Sequence, residues 1–181
     1  MAGSSASPFA RAIVRPASAD ARRGVLDAGN RRMPCALGRG GVRRDKREGD
    51  GATPAGAWPV RRVLYRADRL TLPPLAFAVS PIRPDDGWCD DVASPQYNQY
   101  VRHPLSASAE RLWRNDDLYD VVVVLGHNDC PVVAGLGSAI FLHVARPDYS
   151  PTEGCIALTI QNLLSFLEAA SPTVMLQIEE R

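Results

Sequence analysis

Cysteine is scarce in this 181-residue chain: Cys35, Cys89, Cys130 and Cys155 stand far apart, and no two form a CxxC pair. That excludes the disulfide framework of a small secreted scaffold and leaves free thiols as the expectation. Histidine is limited to His103, His127 and His143, and neither HExxH nor His-x-His occurs, so a metal centre would need ligands gathered from distant segments. No metal and no cofactor is expected. Long apolar runs are missing too. The longest, Val121 to Gly126, is far too short to cross a bilayer. Arg11, Arg15, Asp20, Arg22, Arg23 and Asp27 interrupt the stretch where the apolar core of a signal peptide would stand. As written, the chain is expected to stay in the cytoplasm; a periplasmic location would require a misassigned or trimmed N-terminus.

Acidic side chains are thin at the start. Met1 to Leu70 holds fifteen Lys and Arg against six Asp and Glu, and Thr71 to Arg181 holds six against fourteen, so the net charge of +1 conceals a basic and an acidic half. A basic half suits nucleic acid, anionic lipid or an acidic substrate. Here, however, the arginines alternate with apolar residues, as in Val60-Arg61-Arg62-Val63-Leu64-Tyr65-Arg66, the pattern of strands with one solvated face. No helix-turn-helix, zinc-finger or RNP-like pattern accompanies them, and nucleic acid is not expected as a partner. With 45% hydrophobic residues the chain is long enough for one domain, 9–181, behind a flexible N-terminus, 1–8.

The patterning is mostly that of strands. Ala10 to Val14 reads as a first strand, and Val25 to Asp27 with Met33 to Leu37 flank Ala28-Gly29-Asn30 as a β-hairpin. Gly38 to Gly56 holds six glycines and reads as a loop before a strand from Ala57 to Arg66. Prolines at 73, 74, 81, 84, 95 and 104 exclude regular helix from a long surface excursion and restrict strand there to short edge pieces. Ser106 is positioned to cap a short helix through Trp113. The β-branched runs Val121 to Leu125 and Ala139 to Val144 predict central strands buried on both faces. Thr159 caps a helix with Leu163, Leu164 and Leu167 on one face, ended by Pro172 before a last strand, Thr173 to Ile178. The expected fold is mainly β, a sandwich or barrel with one or two short helices.

The chemistry concentrates between Ile140 and Leu158. His143 ends a buried strand, and Cys155 follows a proline-containing loop, directly after Gly154. A thiol of pKa about 8.5 is only a few per cent thiolate at neutral pH, and a neighbouring imidazole can take its proton. A glycine before the nucleophile permits a tight turn whose N–H groups can face an oxyanion. The spacing alone also fits a buried structural cysteine and a strand-end histidine.

The block Ser150-Pro151-Thr152-Glu153-Gly154-Cys155-Ile156, preceded by Phe141-Leu142-His143, resembles the catalytic signature of the L,D-transpeptidase (YkuD-type) family. Lys46-Arg47-Glu48-Gly49-Asp50-Gly51-Ala52-Thr53-Pro54-Ala55-Gly56-Ala57-Trp58 is similar to that family's glycine-rich strand entry, which helps shape the cleft. The resemblance implies Cys155 as nucleophile and His143 as base, with Thr152 and Gly154 completing the signature. It implies a peptidoglycan stem peptide or muropeptide as substrate, attacked at the bond between the L-centre of a diamino acid and a terminal D-residue. Water as acceptor gives an L,D-carboxypeptidase; an amine gives a cross-link or an exchanged D-residue. Glu153 and Ala157 depart from the His and the Arg or Asn that many members carry there.

Around this centre Asn128, Arg146, Tyr149, Glu153 and Trp88 are candidate substrate-binding residues. Arg146 suits a bidentate grip on a carboxylate. Trp88, with Tyr97 and Asn98, either lines a groove or anchors its loop on the core. His127 and Asn128 either face the cleft or simply end a strand. Cys89 and Cys130 either form a disulfide or remain thiols.

Overall fold

The computed structural model describes residues 7–180. Of the expected flexible start, residues 1–6 lie outside this range, and Ser7 and Pro8 are exposed. Fourteen strands and one helix follow: β1 (Phe9–Pro16), β2 (Arg23–Ala28), β3 (Arg31–Ala36), β4 (Val42–Arg43), β5 (Thr53–Pro54), β6 (Gly56–Tyr65), β7 (Val79–Pro81), β8 (Asp86–Cys89), β9 (Tyr100–Arg102), β10 (Ala109–Arg111), β11 (Val121–Leu125), β12 (Phe141–Val144), β13 (Ile156–Leu158), α1 (Ile160–Ala169) and β14 (Ala170–Ile178).

The main sheet runs β11-β12-β13-β3-β2-β1-β14-β6, and β6 pairs back onto β11, so the mainly β architecture closes into a barrel-like circuit with β7 added beside β6. Alternation explains its interior. Ala12 and Val14 of β1, Leu26 and Ala28 of β2, and Met33 and Cys35 of β3 point into one aliphatic core with Leu142, Ile156 and Leu176. Each fully buried Leu or Ile there contributes about 1.5–3 kcal/mol relative to exposure. The expected hairpin forms with Ala28 opposite Arg31, and Gly29 takes φ 59° in the two-residue turn. Helix α1 starts at Thr159, whose side chain accepts from the Asn162 N–H, and buries Leu163, Phe166 and Leu167; Leu164 is half-buried. Among the described residues, no helix is long and apolar enough to cross a membrane.

The two β-branched runs are buried on both faces, as expected. Val121, Val123 and Leu125 face the barrel interior, while Val122 and Val124 face a second core with Phe141, Trp88, Tyr119 and Cys155. A three-stranded sheet of order β10-β8-β9 covers this outer face, with Trp88 edge-on to Phe141 at 5.2 Å between ring centroids.

Two local readings are corrected. Residues 106–113 form no helix, because Ala109–Arg111 pairs antiparallel with Cys89 to Gly87, and that pairing overrides local helix propensity. Pro172 lies inside β14 rather than before it. It falls where the pairing with β1 shifts register between Phe9 and Arg11, a position where proline breaks no regular ladder.

Candidate active site

Register brings His143 and Cys155 together. Strand β13 runs parallel to β12 with His143 opposite Ala157, and Cys155 stands two residues before Ala157, hence on the same outward face. Loop 145–155 returns the chain between these strands and delivers the cysteine at its end. Both side chains line one cavity of about 500 Å³ under the three-stranded sheet, a size usual for small-ligand sites.

The turn carrying the cysteine is held from behind by the glycine-rich loop. The Thr152 N–H donates to the Leu37 carbonyl at 3.0 Å, and the Arg39 N–H donates to the Thr152 carbonyl at 2.8 Å. Thr152 Oγ1 donates to the Cys155 carbonyl at 2.6 Å and accepts from the Gly154 N–H at 3.2 Å. The Gly154 amide is therefore engaged within the turn rather than free to face an oxyanion. Glycine is required there for another reason: φ is 133°, and a Cβ would lie 2.8 Å from the Ala52 carbonyl. The glycine-rich segment from Lys46 to Trp58 is braced by Asp50, which accepts from Lys46 Nζ and from the N–H groups of Arg47 and Ala52.

His143 Nδ1 lies 2.9 Å from the Val144 carbonyl. A carbonyl only accepts, so Nδ1 carries the hydrogen and Nε2 keeps the lone pair of a base. Burial pushes the imidazole down to about 4, and the Arg114 and Arg146 guanidiniums push the same way. The Cys155 thiol donates to the Ala139 carbonyl at 3.2 Å, so its resting partner is this carbonyl and not the imidazole. Burial lifts the thiol to about 12, and the charge of Glu110 adds to the effect. At neutral pH the pair therefore rests as neutral thiol and neutral imidazole, without a stored thiolate.

The candidates separate by position. Thr152, Glu153 and Arg146 line the cavity with His143 and Cys155; Asn128, Tyr149 and Trp88 do not. Asn128 instead closes its own loop, donating to the carbonyls of Val133 and Gly137. Tyr149 packs against Ala36, Ala145 and Ala157. Trp88 is buried in the second core and donates to Asn98 Oδ1 at 2.9 Å, the anchoring alternative. Glu153 is largely exposed and pairs with Arg39 at 2.7 Å. His127 is buried against Trp58, with ring centroids 4.7 Å apart. All four cysteines are free thiols, Cys89 buried and Cys130 exposed.

The structure adds Glu48, Asp90, Glu110, Arg114 and Tyr119 to the cavity wall. The Tyr119 hydroxyl donates to Glu110 at 2.5 Å, and its ring lies edge-on to His143 at 5.3 Å. Burial raises the Glu110 carboxyl, opposed by Tyr119 and Arg114. Glu110 stands in a segment whose local pattern reads as helix, and what makes 109–111 a strand is its tertiary pairing with 87–89.

Among solved structures, L,D-transpeptidase 1 of Mycobacterium tuberculosis is similar at 14% identity and a TM-score of 0.39, over 93% of this chain. The chain spans 61% of the length of that structure's chain. No curated protein matches the sequence significantly. The model of the L,D-transpeptidase catalytic domain (YkuD) matches residues 17–176, and the chain belongs to that family.

Proposed function

We propose that this protein is a cysteine acyl-transfer enzyme that cuts the L,D peptide bond of peptidoglycan stem peptides, with water as the favoured acceptor and terminal D-alanine as the product. The observation that carries the reading is the meeting of Cys155 and His143 on one face of β12 and β13, inside a shared cavity.

When substrate enters, the thiol turns from the Ala139 carbonyl to His143. Nε2 takes the thiol proton as Sγ attacks the scissile carbonyl carbon. The tetrahedral intermediate collapses to a thioester, and the departing D-residue amine receives the proton from Nε2. Water then loses a proton to His143 while attacking the thioester; the departing thiolate takes that proton back from Nε2, and the shortened peptide leaves as an acid that gives its remaining proton to solvent. Arg114 and Arg146 on the cavity wall suit the terminal carboxylate of the leaving D-residue.

A second reading, D-amino-acid exchange or cross-linking, draws support from the carboxylates of Glu48, Asp90 and Glu110, which favour an ammonium-bearing acceptor. The acceptor depends on the compartment: cytoplasm fits hydrolysis, and periplasm fits an amine. Purified protein incubated with disaccharide tetrapeptide, with and without a D-amino acid, separates these by product mass. Free D-alanine and tripeptide are expected; an unchanged substrate in both mixtures refutes the assignment, and fractionation of the native cell places the enzyme.

A further inference from the structure

Two adjacent side chains of the proline-rich excursion grip the segment that leads into β12. The Gly137 N–H donates to the Tyr97 hydroxyl at 3.0 Å, and the Ala139 N–H donates to Asn98 Oδ1 at 3.1 Å. Asn98 is buried, with 6% of its surface exposed. Its Oδ1 also accepts from Trp88 Nε1, and its Nδ2 donates to the carbonyls of His127 at 3.1 Å and Asn128 at 2.8 Å. A primary amide has two donors and two acceptor lone pairs, so every hydrogen-bonding position of this side chain is occupied.

What the amide holds is an unfavourable backbone. Ala139 has φ 52°, a left-handed conformation that a residue with a Cβ adopts only when its surroundings impose it. The carbonyl of that same residue accepts the Cys155 thiol at 3.2 Å. One side chain, one strained residue and the Cys155 sulfur thus form a continuous chain of contacts.

We propose that Asn98 is a positioning residue for the nucleophile: by holding the left-handed backbone of Ala139 through its N–H, it fixes the carbonyl of that residue, which parks the Cys155 thiol at rest. The inference rests on Cys155 being the nucleophile, and it assigns Asn98 a role other than lining a groove. Parking stabilises the neutral S–H over the thiolate, because a carbonyl oxygen can accept a hydrogen bond but turns its negative end toward an anion. The other groups around the sulfur come from separate elements: Glu110 from β10, Lys46 from the glycine-rich loop, Tyr119 ahead of β11 and His143 from β12. None of them bonds to Asn98.

The test reads the thiol directly. Alkylation of Cys155 by iodoacetamide is followed against pH in the full chain, with peptide mass spectrometry separating it from the exposed Cys130. In Asn98→Ala the profile is expected to move toward lower pH by about one unit, roughly tenfold faster labelling at a fixed pH below the wild-type midpoint. D-alanine release in that variant nevertheless loses about tenfold in kcat, with little change in KM, because a sulfur no longer held against the Ala139 carbonyl is misplaced for attack even though its thiolate forms more readily. Asn98→Asp keeps an acceptor for Ala139 and Trp88, so it loses stability without that acidic shift. Should Asn98→Ala not fold, Asn98→Ser withdraws the acceptor from Ala139 with a smaller loss of volume and carries the same expected shift. An unmoved profile in the folded variant, or the same shift in Asn98→Asp, overturns the proposal. Labelling that shifts as expected in a protein that releases no D-alanine would instead leave the positioning role standing and remove the substrate reading.

Discussion

Strands β11 and β12 present two faces, one residue apart in sequence, that have been put to different uses. The inner face, Val121, Val123, Leu125, Leu142 and Val144, joins a core assembled from apolar side chains. The outer face places Phe141 and His143 beside Cys155 beneath Trp88 and Tyr119, where burial is nearly as deep but carboxylates and guanidiniums border the cavity. Burial inside the barrel yields packing and stability. Burial outside it holds a thiol and an imidazole neutral beside an open cavity. The closed circuit of strands makes the second arrangement tolerable, because the destabilising polar groups sit on a wall whose other side is already well packed.

Substitutions on the two faces separate these roles. His143→Ala should lower D-alanine release by about 10²–10⁴-fold while the folded state persists, measured by product mass and circular dichroism. Leu142→Ala, one residue away, should cost about 2–5 kcal/mol in urea unfolding, with activity per folded molecule largely retained. If the two variants were alike in both assays, the division of faces would fail.

The pH dependence of stability sharpens the contrast. His143 and His127 are both held down to about 4 from 6.5, in each case first by burial. Between these values the unfolded chain binds protons that the folded chain refuses, so stability should fall as pH drops from about 6.5 toward 4. The slope is about 1.4 kcal/mol per pH unit for each histidine once pH is below the unfolded value. Cys35 and Cys155 are held up to about 12 from 9.0, again by burial, so a second decline begins as pH rises past 9. Denaturant midpoints should trace a plateau between these limits, and His127→Gln should halve the histidine part of the acid slope; an unchanged slope would contradict the burial account.

Gly154→Ala forces a Cβ against the Ala52 carbonyl at φ 133°, and should cost about 1–3 kcal/mol from the backbone conformation alone, seen in thermal melts. The smallest effect belongs to the rim. Glu153→Ala removes an exposed ion pair with Arg39 and should change stability by about 1 kcal/mol or less.

Periodicity made much of the fold legible: the hairpin at Gly29, the double-sided strands β11 and β12, and the helix capped by Thr159. Its failures came where tertiary pairing outweighed local preference, as in β10, and where a register shift accommodated Pro172. The site was legible in part. Cys155, His143, Thr152, Glu153 and Arg146 were placed together by a short motif whose spacing matches one return between parallel strands. Glu110, Tyr119 and Asp90 reach the same cavity from other segments through a sheet that gives no local signal. The partner of the Gly154 amide was not legible, because backbone direction within a turn depends on groups such as the Thr152 hydroxyl, which residue type alone does not specify.

Intact-mass spectrometry of the protein mixed with disaccharide tetrapeptide tests the proposed nucleophilic role of Cys155 most directly. The expected result is an adduct equal to the donor less D-alanine, located by digestion on the peptide containing Cys155 and absent from Cys155→Ala. D-alanine released at the wild-type rate by Cys155→Ala would contradict the account.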